Sequence, residues 1–319
     1  MPRPGTTVTF YGVRGSTPCE GPAYERYGGH TSCVVLDAAG EDPLICDLGT
    51  GLRCFGEHLR HSGRTPGFRA SVLLTHLHWD HVQGLPFFAP LEHPDSVVDV
   101  YGPGRPGGML ADVFAGLMRP PYFPIGPEDL AGSVHFHDAG VDDFSVGSAR
   151  IRARWVRHTG PTLGYRVDRS GTSVAYVSDH GPGCRPDDPD DHVPAEILEL
   201  CDGVDLLIHD SQHSCAEFEA KRHFGHSSVD YALHVAREAG VRTLVLFHHC
   251  PSHSDDDVDL LLRHTRRLAE ARGGPEVIAA HEGMCLAIGS RVVDVSNRER
   301  PGPEVRSEGL LDLDLGARR

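Results

Sequence analysis

The segment that most constrains this chain is Thr75–His81, which reads THLHWDH and directly follows the apolar run ASVLL. The apolar run predicts a buried strand, so three histidines and an aspartate would gather where that strand ends. On an extended strand end, His76 and His78 point to the same side. A turn after them would bring Asp80 and His81 to a second position at the start of a helix. Because imidazole and carboxylate are good ligands for Zn²⁺ and its neighbours, the segment predicts a site for two metal ions.

Three further side chains that can bind metal stand where other apolar runs end. His158 ends RARWVRH, Asp179 ends SVAYVSD and His248 ends TLVLFH. Taken alone, each is better explained without a functional role: His158 as a capped strand end, Asp179 as a turn former and His248 as a surface histidine. Their shared position after strands favours a common site, because a layered fold collects such groups at one rim of its sheets.

Glycine, proline and aspartate interrupt the chain at short intervals and leave short apolar runs between them. These runs predict strands at residues 6–13, 32–38, 43–49, 70–76, 96–102, 149–158, 162–169, 173–179, 204–210, 243–249, 276–283 and 285–289. Other stretches predict helices at 51–62, 81–89, 107–117, 194–202, 214–222, 227–239 and 255–272. In the helix at 227–239, Ser227 or Ser228 is the expected N-cap. Strands dominate the first half and alternate with helices later, which suits layered sheets with helices outside.

The segments 103–108 and 180–194 are rich in proline, glycine and aspartate and predict surface connections. No boundary divides the core, so we expect one domain over residues 1–292. Residues 293–319 become charged and rich in glycine and proline, which predicts a tail.

Charge and cysteine content narrow the class of protein. The 319 residues carry a formal net charge of −15, which repels polyanions and argues against broad binding of nucleic acid or anionic membranes. Nine cysteines without a CxxC pair indicate reduced, mostly buried thiols. The N-terminus MPRPGTTVTF lacks a signal pattern, and no apolar run is long enough to span a membrane. We therefore expect a cytoplasmic enzyme or binding protein.

The motif HLHWDH resembles the HxHxDH signature of the metallo-β-lactamase superfamily. The chain is similar to its dinuclear phosphodiesterase branch, which includes ribonuclease Z and the cyclic phosphodiesterase of the phosphonate pathway. The matching segments are FYGVRGSTP (10–18), YGGHTSC (27–33), DLGTGLR (47–53), HTGPTLGYR (158–166), DLLIHDSQH (205–213) and GHSS to LVLFHHCPSH (225–253). The resemblance covers about residues 8–289. It implies an α/β (α+β) fold, a four-layer αββα sandwich with the metals at one edge of the paired sheets.

The resemblance also implies roles for particular residues. One divalent ion, Zn²⁺ or else Mn²⁺ or iron, would be bound by His76, His78 and His158. A second ion would be bound by Asp80, His81 and His248, with Asp179 bridging both. The implied nucleophile is a hydroxide between the ions, so Asp80 counts as catalytic as well as metal-binding. His226 in GHSS would stabilise the phosphate or donate a proton to the leaving oxygen.

Residues around this set receive weaker assignments. Asp47 matches a position that orients a ligand histidine, and Asp210 is expected to be structural or to support a ligand. His30 departs from the family pattern, which usually has asparagine there, so it could contact substrate or metal. His209 precedes Asp210 on a predicted core strand and is expected to have no chemical role. The other histidines are expected at the mouth of the site or on the surface, namely His213, His223, His249 and His253.

The expected substrate is a small phosphodiester, such as a cyclic nucleotide or cyclic sugar phosphate. The tRNA-processing branch carries a long arm between the third histidine and the bridging aspartate, and the short interval from His158 to Asp179 excludes it here. With the negative charge, this predicts no long nucleic-acid grip and no membrane partner; the family implies a possible homodimer.

Two alternatives stay open. The first is hydrolysis of a lactone or thioester, since Tyr122 and Phe123 in the insert 105–130 could cap an acyl pocket, although they could equally stack on a nucleobase. The second is a non-catalytic metal-binding or oxygen-sensing module.

Overall fold

The computed structural model describes residues 5–104, 107–182 and 192–296. The strands, numbered in chain order, are β1 (Thr6–Gly12), β2 (Cys33–Asp37), β3 (Leu44–Cys46), β4 (Arg69–Leu73), β5 (Val97–Gly102), β6 (Ser133–Asp138), β7 (Asp143–Val146), β8 (Ala149–Val156), β9 (Thr162–Arg169), β10 (Thr172–Val177), β11 (Leu206–Asp210), β12 (Thr243–Phe247), β13 (Glu276–Ala279), β14 (Cys285–Ile288) and β15 (Val292–Asp294). The helices are α1 (Gly51–His61), α2 (Trp79–Val82), α3 (Leu110–Leu117), α4 (Ala195–Cys201), α5 (Cys215–Lys221), α6 (Val229–Glu238) and α7 (Asp255–Arg272).

The strands form two sheets. One sheet has the order β15-β14-β1-β2-β3-β4-β5-β6, and the other has the order β13-β12-β11-β10-β9-β8-β7. In the second sheet β10, β11, β12 and β13 are parallel. Every residue of β11 and β12 is buried, as expected for parallel strands covered on both faces.

Three apolar clusters separate four layers. The cluster between the sheets includes Phe10 and Phe247, whose rings lie 6.1 Å apart. A second cluster packs Phe55 of α1 and Phe114 of α3 against the outer face of the eight-stranded sheet. A third packs α4, α6 and α7 against the other sheet, with Leu200 fully buried. Helices therefore cover both outer faces, and the expected four-layer αββα sandwich is confirmed.

The helix ends follow from local sequence. Ser228 caps α6, because its hydroxyl accepts a hydrogen bond from the backbone N–H of Tyr231 at 3.2 Å. Of the two serines considered, the second is therefore the cap. The helix expected at 81–89 is instead the short α2 followed by the 3-10 turns Leu85–Phe87 and Ala89–Glu92. Pro86 and Pro90 stand within these turns, and proline interrupts an α-helix by removing an N–H donor.

Sequence patterns missed three strands, and all three lie at sheet edges. β6 and β15 end one sheet, and β7 ends the other. Their burial is incomplete: residues of β6 and β7 are half-buried or exposed. An edge strand needs fewer apolar residues, so its sequence signal is weak.

Strand β15 pairs with β14 and carries the sheet as far as Asp294, two residues into the predicted tail. Residues 297–319 of that tail lie outside the described residues, as do 183–191 of the predicted loop 180–194 and 105–106 of the segment 103–108. Among the described residues, no helix has the length and apolarity needed to cross a membrane.

Candidate metal centre

The seven residues expected to bind metal come together at one rim of the sandwich. Because β8, β10 and β12 run in the same direction, their carboxyl ends meet at one edge of their sheet. His158, Asp179 and His248 follow these three strands within two residues. The THLHWDH segment reaches the same rim from the other sheet, after β4 and through α2. Both sheets therefore contribute side chains to the centre.

The first group consists of His76, His78 and His158, whose nearest ring nitrogens lie within 4.8 Å of one another. Nδ1 of His78 lies 2.9 Å from Nε2 of His76 and 3.2 Å from Nε2 of His158. Oδ1 of Asp179 lies 3.8 Å from Nε2 of His76 and 3.7 Å from Nε2 of His158. Three nitrogens and one oxygen thus face a common point, a donor set that suits Zn²⁺.

The second group consists of Asp80, His81 and His248. Oδ2 of Asp80 lies 3.1 Å from Nε2 of His81 and 3.2 Å from Nε2 of His248. The other oxygen of Asp179, Oδ2, lies 3.2 Å from Nε2 of His81 and 3.5 Å from Nε2 of His248. The buried carboxylate of Asp179 therefore presents one oxygen to each group.

Two atoms of this centre are buried without a hydrogen-bond partner, namely Nε2 of His81 and Oδ2 of Asp179. Leaving such groups unsatisfied costs about 1–3 kcal/mol each. A cation between them would supply the missing partner of both atoms. The residues present therefore fit a bound metal.

Asp47 fixes the orientation of His81 from behind. Its carboxylate accepts a 2.8 Å hydrogen bond from Nδ1 of His81, and further bonds from the backbone N–H and hydroxyl of Thr75 and from the hydroxyl of Tyr176. Asp47 has a φ of 62°, a left-handed conformation that aspartate tolerates better than most residues. The expectation that Asp47 orients a ligand histidine is thus matched by a contact, and the ring is His81.

The Nδ1 atoms of two other proposed ligands, His158 and His248, also have polar contacts. Nδ1 of His158 donates to the carbonyl of Gly225 at 2.8 Å, and Nδ1 of His248 lies 3.2 Å from Nε2 of Gln212. Gly225 has a φ of 78°, and a Cβ there would lie 2.9 Å from Nδ1 of His158. Contacts of this kind orient metal-binding rings and set which nitrogen faces the metal.

The electrostatics of the centre favour a cation. Burial, with the charge of His81, holds the pKa of His76 well below its ordinary value. Although burial alone would raise it, the neighbouring histidines hold the pKa of Asp179 well below its ordinary value. Against the effect of burial, the charges of Asp80, Asp179 and Asp47 raise the pKa of His81. Three carboxylates around one ring give the centre surplus negative charge.

His226 stands beside both groups. Its ring centroid lies 5.1 Å from that of His158 and 5.0 Å from that of His248. Nδ1 of His226 donates to Asp210 at 2.8 Å. Burial alone would lower the pKa of His226, but the charge and hydrogen bond of Asp210, with Asp179 nearby, raise it to about 9. Asp210 and His226 also form a possible metal-binding group with Asp179 and His248.

Two residues of the FYGVRGSTP segment support the centre, although sequence patterns assigned neither of them a role. The backbone N–H of Ser16 donates to Oδ2 of Asp80 at 2.7 Å. Gly15 lies against His248, where a Cβ would stand 2.5 Å from the ring. The feature of the sequence that could have pointed to Gly15 and Ser16 is their small size within a segment that matches the family pattern.

His30, His249 and His253 make hydrogen bonds outside the groups gathered at the centre. Nδ1 of His30 lies 3.3 Å from the hydroxyl of Thr50, and His30 belongs to none of the groups gathered at the centre. His249 is buried and donates to the carbonyl of Ala280 at 2.9 Å. His253 pairs with Glu217 at 2.9 Å. His209 and His213 are buried, whereas His223 is exposed.

Comparison with known proteins adds a family context. Residues 46–249, more than half of the chain, match the family model described as Beta-lactamase superfamily domain. Ribonuclease Z of Methanothermobacter thermautotrophicus is 27% identical over 294 residues, covering 76% of this chain and 85% of that protein. An uncharacterized protein of Mycobacterium tuberculosis H37Rv is 30% identical over 261 residues, covering 79% of this chain and 83% of that protein.

Among solved structures, the metallo-β-lactamase fold protein YhfI from Bacillus subtilis superposes with a TM-score of 0.64 at 18% sequence identity. The superposition covers 89% of this chain and 99% of that one. At this identity the likeness concerns the fold, and it agrees with the four layers described above.

Proposed function

The chain belongs to the β-lactamase superfamily and is a metal-dependent hydrolase of that fold, and from this premise we propose that it is a dinuclear phosphodiesterase that cleaves RNA. The catalytic unit would be the domain of residues 1–292, with residues 293–319 as a charged tail. The cytoplasmic location expected from the sequence stays a prediction.

The expected partner, a small phosphodiester with no long nucleic-acid grip, is wrong. A relative that matches three quarters of this chain is named ribonuclease Z, and a ribonuclease acts on RNA. The error lies in treating net charge as a guide to recognition. A charge of −15 averages the whole surface, whereas binding depends on the groups that face the ligand. The short interval between His158 and Asp179 excludes only an arm inserted at that point of the chain. It does not exclude other ways of holding RNA.

The proposal of two metals rests mainly on Asp179. Its two carboxylate oxygens face different groups, which is the arrangement that a bridging ligand requires. His76, His78 and His158 would hold one ion, and Asp80, His81 and His248 would hold the other. The nitrogen-rich donor set favours Zn²⁺, while Mn²⁺ and iron remain compatible. Two bound cations would lower the pKa of water and stabilise charge on both the attacking and leaving oxygens of phosphoryl transfer.

The chain's own residues would place and protonate the substrate. Asp80 is held by the backbone N–H of Ser16, so its carboxylate keeps a fixed position beside His81 and His248. His226 is anchored through Nδ1 to Asp210, which leaves Nε2 to donate a proton to the leaving oxygen. Asp80, His81, Asp179, His226 and His248 are buried, which strengthens their electrostatic contacts, whereas His78 is exposed and leaves the centre open on that side.

The test is cleavage of end-labelled oligoribonucleotides, single-stranded and hairpin, by protein loaded with Zn²⁺ or Mn²⁺. We expect cleavage that disappears on chelation and returns on reloading. His81→Ala should abolish it, whereas His61→Ala, at an exposed histidine on α1, should not change it.

Two results would overturn the proposal. Turnover of lactones or thioesters without RNA cleavage would indicate acyl hydrolysis at this site. Tight metal binding with no hydrolysis of either class would indicate a metal-binding or sensing module.

A further inference from the structure

A cavity of about 220 Å³ lies against α2, the helix that also carries Asp80 and His81. Its wall is formed by α2, the 3-10 turn Leu85–Phe87, α3 and the segment that follows α3. The side chains that give it its character are Trp79, Gln83, Phe87, Met118, Tyr122 and Phe123. Among the described residues that line it, none carries a charge.

Three of the five aromatic side chains that line this cavity are largely open to solvent. Tyr122 is 74% exposed, Trp79 60% and Phe87 57%. Large apolar side chains gathered on a surface in this way mark a binding site more often than a chance arrangement. Phe87 and Phe123 meet edge to face at 5.8 Å, so the wall is formed by packed rings.

The cavity and the metal centre are both bordered by α2. At 3.6 residues per turn, Asp80 and His81 face one side of this helix, while Trp79, Val82 and Gln83 face the other. A helix is roughly 10 Å across. A ligand whose phosphodiester lies at the centre would therefore reach the cavity with a group on an adjacent unit of the same molecule.

We propose that this cavity is a stacking subsite for a nucleobase of the RNA strand being cleaved, an inference that rests on the proposed function. Aromatic faces bind bases by stacking, with little sequence preference. The side-chain amide of Gln83 is suited to hydrogen bonding with a base edge. The uncharged wall disfavours a phosphate as occupant.

Size and exposure distinguish a base from an acyl chain. The volume is below the 300–1,000 Å³ that is typical of pockets for drug-sized molecules, so it suits one ring system. An acyl chain gains binding energy only where its surroundings exclude water. Here three of the rings, those of Trp79, Phe87 and Tyr122, stay largely exposed. This suits a base, because its polar edge remains hydrated while its faces stack.

The chain has two tryptophans, Trp79 and Trp155, and Trp155 does not line the cavity. In Trp155→Phe, fluorescence would therefore report on Trp79 alone. We expect AMP to quench this fluorescence in a saturable way, with and without metal, and ribose 5-phosphate to leave it unchanged. Adding Tyr122→Ala should weaken AMP binding roughly 5- to 100-fold, the range for loss of one stacking ring.

The outcomes separate this inference from the proposed function. Cleavage of RNA without quenching by AMP would overturn the subsite and leave the function standing. Quenching by AMP without RNA cleavage would support the subsite and overturn the function. A fluorescence response to hexanoate but not to AMP would overturn the assignment of a nucleobase as the occupant. Trp79 emission that shifts with protein concentration would also overturn it, because it would indicate that a second copy of the chain occupies the cavity.

Discussion

The carboxylate of Asp47 accepts a 2.8 Å hydrogen bond from Nδ1 of His81, and Nε2 of the same ring faces Asp80 and Asp179. The buried Asp47 thus orients the ring of His81, a proposed metal ligand, although Asp47 is not itself a proposed ligand. In Asp47→Asn the negative charge behind His81 is lost, so we expect metal affinity to fall about 10- to 100-fold. Competition with a chromogenic chelator measures this. Asp42→Asn, at an exposed aspartate, is the control; equal losses in both variants would remove the orienting role.

The bridging role of Asp179 predicts a change in metal content. An asparagine side chain at this position would offer one weak oxygen in place of two charged ones, so Asp179→Asn should lower the bound metal from two equivalents to one or fewer. Elemental analysis after dialysis measures the content. Two tightly held equivalents in the variant would contradict the bridge.

Metal removal should also destabilise the fold, because a ligand that binds only the native state adds stability. At a free metal concentration 100 times the dissociation constant, the gain is about 2.7 kcal/mol. We expect chelation to lower the melting temperature of the parent chain and to change that of His81→Ala much less. Identical shifts in both would mean that the metal acts elsewhere.

His226 should affect rate rather than metal content. Loss of a general acid costs roughly 10²- to 10⁴-fold, so His226→Ala should slow RNA cleavage in that range with two metals retained. A substrate with a p-nitrophenolate leaving group needs no proton, and its cleavage should fall far less. Asp210→Asn should give a smaller loss of the same kind, since it acts through His226. A drop in metal content in His226→Ala would show instead that His226 is a ligand.

A further prediction concerns stability against acid. Partial burial alone would raise the pKa of Glu217, but hydrogen bonds from Ser214 and His253 lower this pKa from 4.5 to about 2. The unfolded chain therefore takes up a proton near pH 4.5 that the folded chain does not. The contribution of Glu217 to the free energy of unfolding is fully present above pH 4.5 and is lost as the pH falls towards 2. Glu217→Gln should flatten that part of the curve in urea unfolding, whereas Glu219→Gln, exposed on the same helix, should not.

The proposed ligands were accessible from sequence because they stand close behind apolar strands. His158, Asp179 and His248 follow their strands within two residues, and THLHWDH places the other four in one short segment after β4. Residues at the carboxyl ends of strands come together at one edge of the sheet when those strands run in the same direction. The helix bounds at α7 and the strand bounds at β9 followed from the same local patterns.

What the sequence did not reveal depends on distant contacts. Ser16 reaches Asp80 across 64 positions, and no local pattern marks that pairing. The missed edge strands lack a buried face, so periodicity had little to detect. The prediction of the substrate class was wrong for a related reason, because the net charge of a chain gives no information about where on its surface the charges lie.

The pairing of β1 has a consequence for how the protein is made. β1 lies between β2 and β14, so one of its two neighbours is translated more than 270 residues after it. Synthesis proceeds at about 5–20 residues per second, so β1 keeps an open edge for many seconds. During that interval His248 has already been translated. The nascent chain thus holds every proposed ligand before the sheet of β1 is complete, so binding of a metal ion would compete in time with completion of that sheet.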